Sequence, residues 1–409
     1  MDNAPAPPAA TDAVLATFHL RDRSAPSLAA SARVLAEMGT TGPWHGATEP
    51  TPLFQRCRGE VVSVVEEGPS EGLVTIALPT ENFDLGDGLW NSLFIGVLGG
   101  YTAAAACFEA ITLVDLALPP SVQQAFPGPR FGHDGVWPLL DPTGGPVAVG
   151  AIVKPVSGVT PDAIAADVLE AAQAGLQFVK DDEKMFNPPY CPLLERVRTV
   201  EAALARVADG TGWRPLYAPN ITTRTDRIVD QARRAIEAGA RALTVTFVSS
   251  NLEALWCLAA SDEVAVPIYA HCTGKEIFTG APGDSRGIAP AVLARLVRLL
   301  GGDIMRLSAV DGDLVYSDRP TMAAMHRAMT DDALARPAML PVVSGALNPG
   351  NVHRSLAVTG PRVLLLAGRA LVGHPEGPAA GVRAFRAAVE AFLEPNPDAK
   401  PPTGGAIPS

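Results

Sequence analysis

The sequence predicts an α/β protein in which a C-terminal (β/α)8 barrel follows a smaller α+β domain. Three observations carry that expectation. From about residue 148 a short β-type run is followed by a longer Ala/Leu/Arg-rich helical stretch, and the pair recurs until eight strands have passed. The strands of this region are apolar almost throughout, as parallel strands covered on both faces are. Residues 13–140 show no such rhythm and read as a compact unit of mixed order. An open doubly wound sheet is the competing architecture, and the count of eight favours the barrel.

Residues 1–12, beginning with a Pro/Ala-rich stretch, predict a disordered tail. AVLATFHLRD (13–22) reads as a strand and APSLAASARVLAEMG (25–39) as a helix. GEVVSVVEEG (59–68) and GLVTIALP (72–79) follow as a hairpin, then a helix near 91–105 and a strand near 109–117. Together they form the expected N-terminal, ferredoxin-like α+β domain, 13–140. PGPRFGHDGVWPLLDPTGGP (127–146) reads as a linker into the barrel, which is expected to span 141–394. Its strands are VGAIVK (149–154), LQFVK (176–180), PLYAP (215–219), ALTVTFV (242–248), VPIYAH (266–271), DIMRLS (303–308), MLPVVSG (339–345) and RVLLLAG (362–368). Helices at 160–175, 193–210, 225–240 and 290–302 lie between them, several ending in the glycine that favours a helix C-terminus. Residues 395–409 predict a flexible tail.

Composition narrows the function classes. With 47% hydrophobic and 18% charged residues, 409 residues supply a substantial core. A net charge of -11 argues against a nucleic-acid or anionic-membrane binder. The five cysteines (57, 107, 191, 257, 272) form no CxxC and are odd in number, which predicts a reducing, cytoplasmic setting. No signal-type segment or bilayer-length apolar run is read. Of 32 Lys plus Arg only five are lysine, at 154, 180, 184, 275 and 400. Lysine can lose its proton and act as a nucleophile or base, which arginine effectively cannot.

A (β/α)8 barrel builds its active site at the C-terminal ends of its strands. Lys154 closes the first strand and Lys180 the second, with Asp182 and Glu183 just beyond. His271 ends the fifth strand, Arg306 lies in the sixth, and the last two end in Ser344-Gly345-Ala346 and Gly368-Arg369. A solvated lysine beside acidic neighbours would account for Lys180 without any function. The alternative is a metal site, because two carboxylates supply hard oxygen ligands suited to Mg2+. A neutral lysine amine can add CO2 to give a carbamate, a third anionic oxygen ligand. Lys154 is either a loop cation or a general base beside the metal. SGALNPGN (344–351) and AGRALVGHPEG (367–377) are either ordinary glycine turns or a phosphate cradle. His271 is expected to line the site.

AIVKP (151–155), GLQFVKDDE (175–183), SGALNPGN and GRALVGHPEG resemble the large subunit of RuBisCO and its relatives, the RuBisCO-like proteins. LAEMGTTGPW (35–44) and LALPPSVQQAFPGPRFG (116–132) extend the resemblance over most of the chain. The resemblance implies that Lys180 is carbamylated and binds Mg2+ together with Asp182 and Glu183. It implies that Lys154 works on the enediolate and that His271 belongs to the fifth-strand histidines. It places Arg306, Ser344, Gly345, Ala346, Gly368 and Arg369 on substrate phosphate and hydroxyls. It also implies a homodimer or a higher oligomer of dimers, with Glu37 and Trp44 near the partner's site.

The departures point away from CO2 fixation. Val156 stands where RuBisCO has a second first-strand lysine, and RLSAVDGDLVYSD (306–318) has no lysine to bring over CO2. Val97 replaces the asparagine that reaches the metal, and Arg306 replaces a sixth-strand histidine. The expectation is a RuBisCO-like protein that is not a carboxylase. It would catalyse Mg-dependent enolisation of a phosphorylated keto-sugar or keto-sugar acid, completed as an isomerase or enolase. A decarboxylase or transcarboxylase of a 3-oxo sugar-acid phosphate is one alternative, and a catalytically silent binding or regulatory protein is another. A Schiff-base aldolase on an unrelated barrel would use the same lysines without metal.

Overall fold

The computed structural model describes residues 12–394 except 23, 47, 105–107, 142–143, 281–285 and 312–317. The expected tails, 1–12 and 395–409, lie outside the described residues except for Asp12, as does most of the distal half of the loop after the sixth barrel strand. The first four strands are β1 (Ala13–Arg21), β2 (Glu60–Gly68), β3 (Glu71–Pro79) and β4 (Ala110–Ala117). Helices Leu28–Met38 and Leu89–Ala104 give the order βαββαβ, and the strands lie side by side as β4-β1-β3-β2. That is the ferredoxin-like arrangement the sequence predicts. β1 and β3 alternate buried and half-buried residues along their whole length, so one face packs on the helices. Ser27 starts the first helix by accepting the Ala30 N–H at its side-chain oxygen.

The barrel strands are β5 (Val147–Ile152), β6 (Phe178–Lys180), β7 (Leu216–Ala218), β8 (Leu243–Thr246), β9 (Ile268–His271), β11 (Ile304–Ser308), β12 (Leu340–Ser344) and β13 (Val363–Ala367), with β10 (Arg286–Ile288) outside the barrel. Their order is β7-β6-β5-β13-β12-β11-β9-β8, all pairs parallel. A parallel bridge between Asn220 and Thr244 closes the ring just beyond β7. Strands buried on both faces explain the unbroken apolar runs, and β8, β12 and β13 are buried at every residue.

Two expectations need correction, and one element is unforeseen. The predicted linker holds a helix, Gly132–Leu140, despite Pro138 within it. Its Val136, Trp137 and Leu140 join Phe178, Tyr269 and Leu364 in one apolar cluster inside the barrel, so the helix plugs the end opposite the strand C-termini. Asp303 anchors its start, accepting the Phe131 and Gly132 N–H groups at 2.7 and 2.8 Å and that of Ile268 at 2.9 Å. The strand read over 242–248 stops at Thr246, where the chain turns into a short helix, Phe247–Ser250. Finally, β10 pairs in parallel with β4, so the connection after β9 reaches across to the N-terminal sheet.

Candidate active site

Lys180 is the last residue of β6 and shares the inward face with Phe178, one layer above the plugged floor. It is fully buried. Its Nζ donates to the Asp181 carbonyl at 2.5 Å, lies 3.7 Å from a Glu183 carboxylate oxygen and sits 5.6 Å from the centre of the Tyr269 ring. Burial pulls the Lys180 amine below the usual lysine range, with Glu183, Asp182 and Asp181 opposing. A buried amine biased toward its neutral form is the nucleophilic form that CO2 addition requires.

The three consecutive acids do different work. Asp181 is fully buried and faces away from the cavity, where its carboxylate accepts Arg196 Nε at 3.0 Å, the Tyr217 hydroxyl at 2.7 Å and the Asn220 N–H at 3.0 Å. Arg196 also donates to the carbonyls of Cys191 and Phe186, tying the loop after β6 to the following helix. Asp182 and Glu183 face the cavity instead. Lys154 Nζ pairs with Asp182, whose other oxygen accepts the Lys184 N–H at 2.9 Å. Glu183 lies 3.4 Å from His271 Nε2 and accepts the Thr273 hydroxyl at 3.1 Å. The Asn220 amide holds the Glu183 carbonyl at 3.1 Å. Burial keeps His271 well below the usual imidazole range, reinforced by Lys180 whenever that amine is protonated and by Arg306, Lys275 and Lys154, so it is neutral near pH 7.

These groups open on one cavity of about 700 Å3 at the C-terminal end of the barrel. Lys154, Asp182, Glu183, His271, Arg306, Ser344, Gly345, Ala346, Gly368 and Arg369 all line it, with Lys180 beneath. Gly345 and Ala346 both take the left-handed region (φ 92° and 53°), and the Asn348 and Asn351 amides hold the Ala346 carbonyl. At Gly368 a Cβ would lie 3.1 Å from Lys154 Cε, so this position must be small for the lysine to stay where it is. Glu37 and Trp44 do not line this cavity. Glu37 is within 4.0 Å of Arg58, and Trp44 donates to the Thr48 carbonyl and packs edge-on against Phe54. Val97 is buried in the core of its own domain.

Sequence reasoning passed over Tyr269, Thr273 and Glu276, which also line the cavity. Tyr269 had a signal, since it precedes His271 by two residues and a strand repeats its faces with that period. Thr273 lies in the loop after β9 and Glu276 starts a helix of only four residues, Glu276–Thr279, too short to show periodicity.

Among the described residues no group of three His, Cys, Asp or Glu is placed to hold a metal. Two carboxylates and a buried, amine-biased lysine nevertheless form a fitting donor set, because a carbamate on that lysine would supply the third anionic oxygen.

An open-edged βαββαβ sheet joined to a barrel whose mouth gathers a buried lysine and two carboxylates defines a barrel enzyme of the RuBisCO architecture. The family model "Ribulose bisphosphate carboxylase large chain, catalytic domain" matches residues 133–400, and the chain belongs to that family. The 2,3-diketo-5-methylthiopentyl-1-phosphate enolase of Geobacillus kaustophilus is 33% identical to it over 404 residues, covering 94% of each chain. A RuBisCO-like protein structure from Alicyclobacillus acidocaldarius superposes with a TM-score of 0.81 at 32% identity, covering 93% of this chain and 94% of that one. Octameric RuBisCO from Pyrococcus horikoshii, at 23% identity and a TM-score of 0.85 over 95% of this chain and 90% of that one, shares the fold. Among the described residues no helix is long and apolar enough to cross a membrane.

Proposed function

We propose that this protein is a RuBisCO-like enzyme that enolises a phosphorylated keto-sugar or keto-sugar acid and does not fix CO2. The observation that carries the reading is the buried Lys180 amine set against Glu183, with Lys154 on Asp182 across the same cavity. Enolisation is also the activity in the names of curated relatives at 30–33% identity. The segment 306–318 offers no lysine to grip CO2.

Lys180 as its carbamate, Asp182 and Glu183 would hold Mg2+, which polarises a substrate carbonyl and favours the enolate. Lys154, which lies beside Gly368 and pairs with Asp182, would take the proton from the adjacent carbon once Asp182 turns to the metal, with the carbamate of Lys180 as the second choice of base. His271, neutral and with its Nδ1 accepting the Thr273 N–H, carries its proton on the Nε2 beside Glu183 and can donate a hydrogen bond to a substrate oxygen without adding charge. The loops at Ser344–Ala346 and Gly368–Arg369 would seat the phosphate and fix the orientation of the reacting carbon. A partner chain would complete the site through Glu37 and Trp44, which this chain's own cavity leaves unused.

The test is deuterium exchange from solvent into 2,3-diketo-5-methylthiopentyl-1-phosphate and a panel of keto-sugar and keto-sugar-acid phosphates. Exchange should require Mg2+ and bicarbonate, and both Lys180→Arg and Lys154→Met should lower it by at least ~100-fold. Absence of exchange across the panel, together with no bound metal, would favour a silent fold.

A further inference from the structure

Two buried polar atoms without a hydrogen-bond partner, the Tyr269 hydroxyl and Arg306 Nε, belong to residues that line the active-site cavity on adjacent strands. Tyr269 is fully buried. Ile304 stands opposite it in the β9–β11 register, so Arg306, two residues on, occupies the next layer of the same inward face. Among the described residues no carboxylate lies within ion-pair distance of Arg306; its thiol neighbour Cys272 accepts a hydrogen bond from it. The acids nearby are otherwise engaged. Glu276 takes Lys275 Nζ at 2.6 Å, and Glu183 takes Lys180, His271 and the Thr273 hydroxyl. Arg306 is half-buried, with its Nε sealed from solvent and no carboxylate in direct contact. An unpaired buried N–H and an unpaired buried phenol are each costly unless a ligand supplies the missing oxygen.

We infer that Tyr269 and Arg306 form a two-donor seat for an anionic oxygen group, of the carboxylate class, at the end of the substrate remote from its phosphate. Tyr269 is thereby a specificity-determining residue. An apolar or thioether terminus placed here would leave both donors unpaired, and a seat built to hydrogen-bond an oxygen rejects ligands that lack it. The inference rests on the enolisation reading, since it assigns the other end of the same substrate, and it narrows that substrate to a phosphorylated keto-sugar acid.

Binding needs no turnover, so matched ligands separate the two claims. Ribonate 5-phosphate and ribitol 5-phosphate differ only in carboxylate against hydroxymethyl at the end opposite the phosphate. Titration calorimetry with the full chain, Mg2+ and bicarbonate should give at least ~10-fold tighter binding of the acid. Tyr269→Phe should erase roughly 5- to 100-fold of that preference, weakening the acid more than ribitol 5-phosphate because a hydrogen bond to a charged oxygen is the stronger one. Should that variant fail to fold, the wild-type preference alone decides. Equal affinities in the wild type, or a preference untouched by Tyr269→Phe, overturns the seat. Deuterium exchange into 2,3-diketo-5-methylthiopentyl-1-phosphate at full efficiency would sink the seat while leaving enolisation intact. A retained carboxylate preference without any exchange would do the reverse.

Discussion

Replacing Asp181 by Ala tests whether the acid next to the reactive lysine is structural. In the fold its carboxylate and the Arg196 guanidinium are both fully buried and lie 2.9 Å apart, and it also accepts the Tyr217 hydroxyl and the Asn220 N–H. Removing one member of a buried pair leaves the other charge uncompensated, at a cost of about 3–5 kcal/mol. The orphaned phenol and amide bring the total to at least ~5 kcal/mol. A barrel-sized unit loses roughly 2–4 °C per kcal/mol, so thermal unfolding should shift down by at least ~10 °C. Asp181→Asn keeps an acceptor for Tyr217 and should cost about 3 kcal/mol. Pairing it with Arg196→Met should recover most of that, since removing both charges is far less costly than removing one. Calorimetry or circular dichroism reads the shift. A change below ~2 °C for Asp181→Ala would refute the structural assignment.

Gly368→Ala places a methyl 3.1 Å from Lys154 Cε and Gly368→Val places more; exchange activity should fall about 10-fold and 100-fold respectively, with unfolding temperature nearly unchanged. Activity loss matched by equal destabilisation would contradict this. Glu201 is buried in helix Leu193–Thr211, and burial pushes its carboxyl up from 4.5 to about 7 against Arg214 and Arg241. Because the folded state holds this proton more tightly, stability should fall as pH rises from 4.5 to about 7, by an amount of order 3 kcal/mol, and level off above. Glu201→Gln should flatten that slope in urea titrations across the same window; an unchanged slope would assign it to other groups.

The barrel was readable because a strand covered on both faces must be apolar at every position, and β8, β12 and β13 are. The cavity was readable because polar residues end those strands at one face, so Lys154, His271 and Ser344 fall together without any long-range information. What failed depended on three-dimensional partners. GHDGVWPLL is poor in helix formers and carries a proline, yet it is helical because Val136, Trp137 and Leu140 fill the barrel's open end. Arg286–Ile288 is too short to show any period and becomes a strand only beside β4. Three adjacent acids look alike in sequence; Arg196, Tyr217 and Asn220, fifteen or more residues on, hold Asp181 away from Asp182 and Glu183.

The most direct measurement is of the adduct itself: 13C NMR of the protein equilibrated with 13C-bicarbonate and Mg2+, alongside Mg2+ titration with and without CO2. A carbamate resonance of one equivalent per chain, absent in Lys180→Arg, and Mg2+ binding that rises with bicarbonate would uphold the account. A free Lys180 amine under saturating CO2, or Mg2+ held equally well without it, would contradict it.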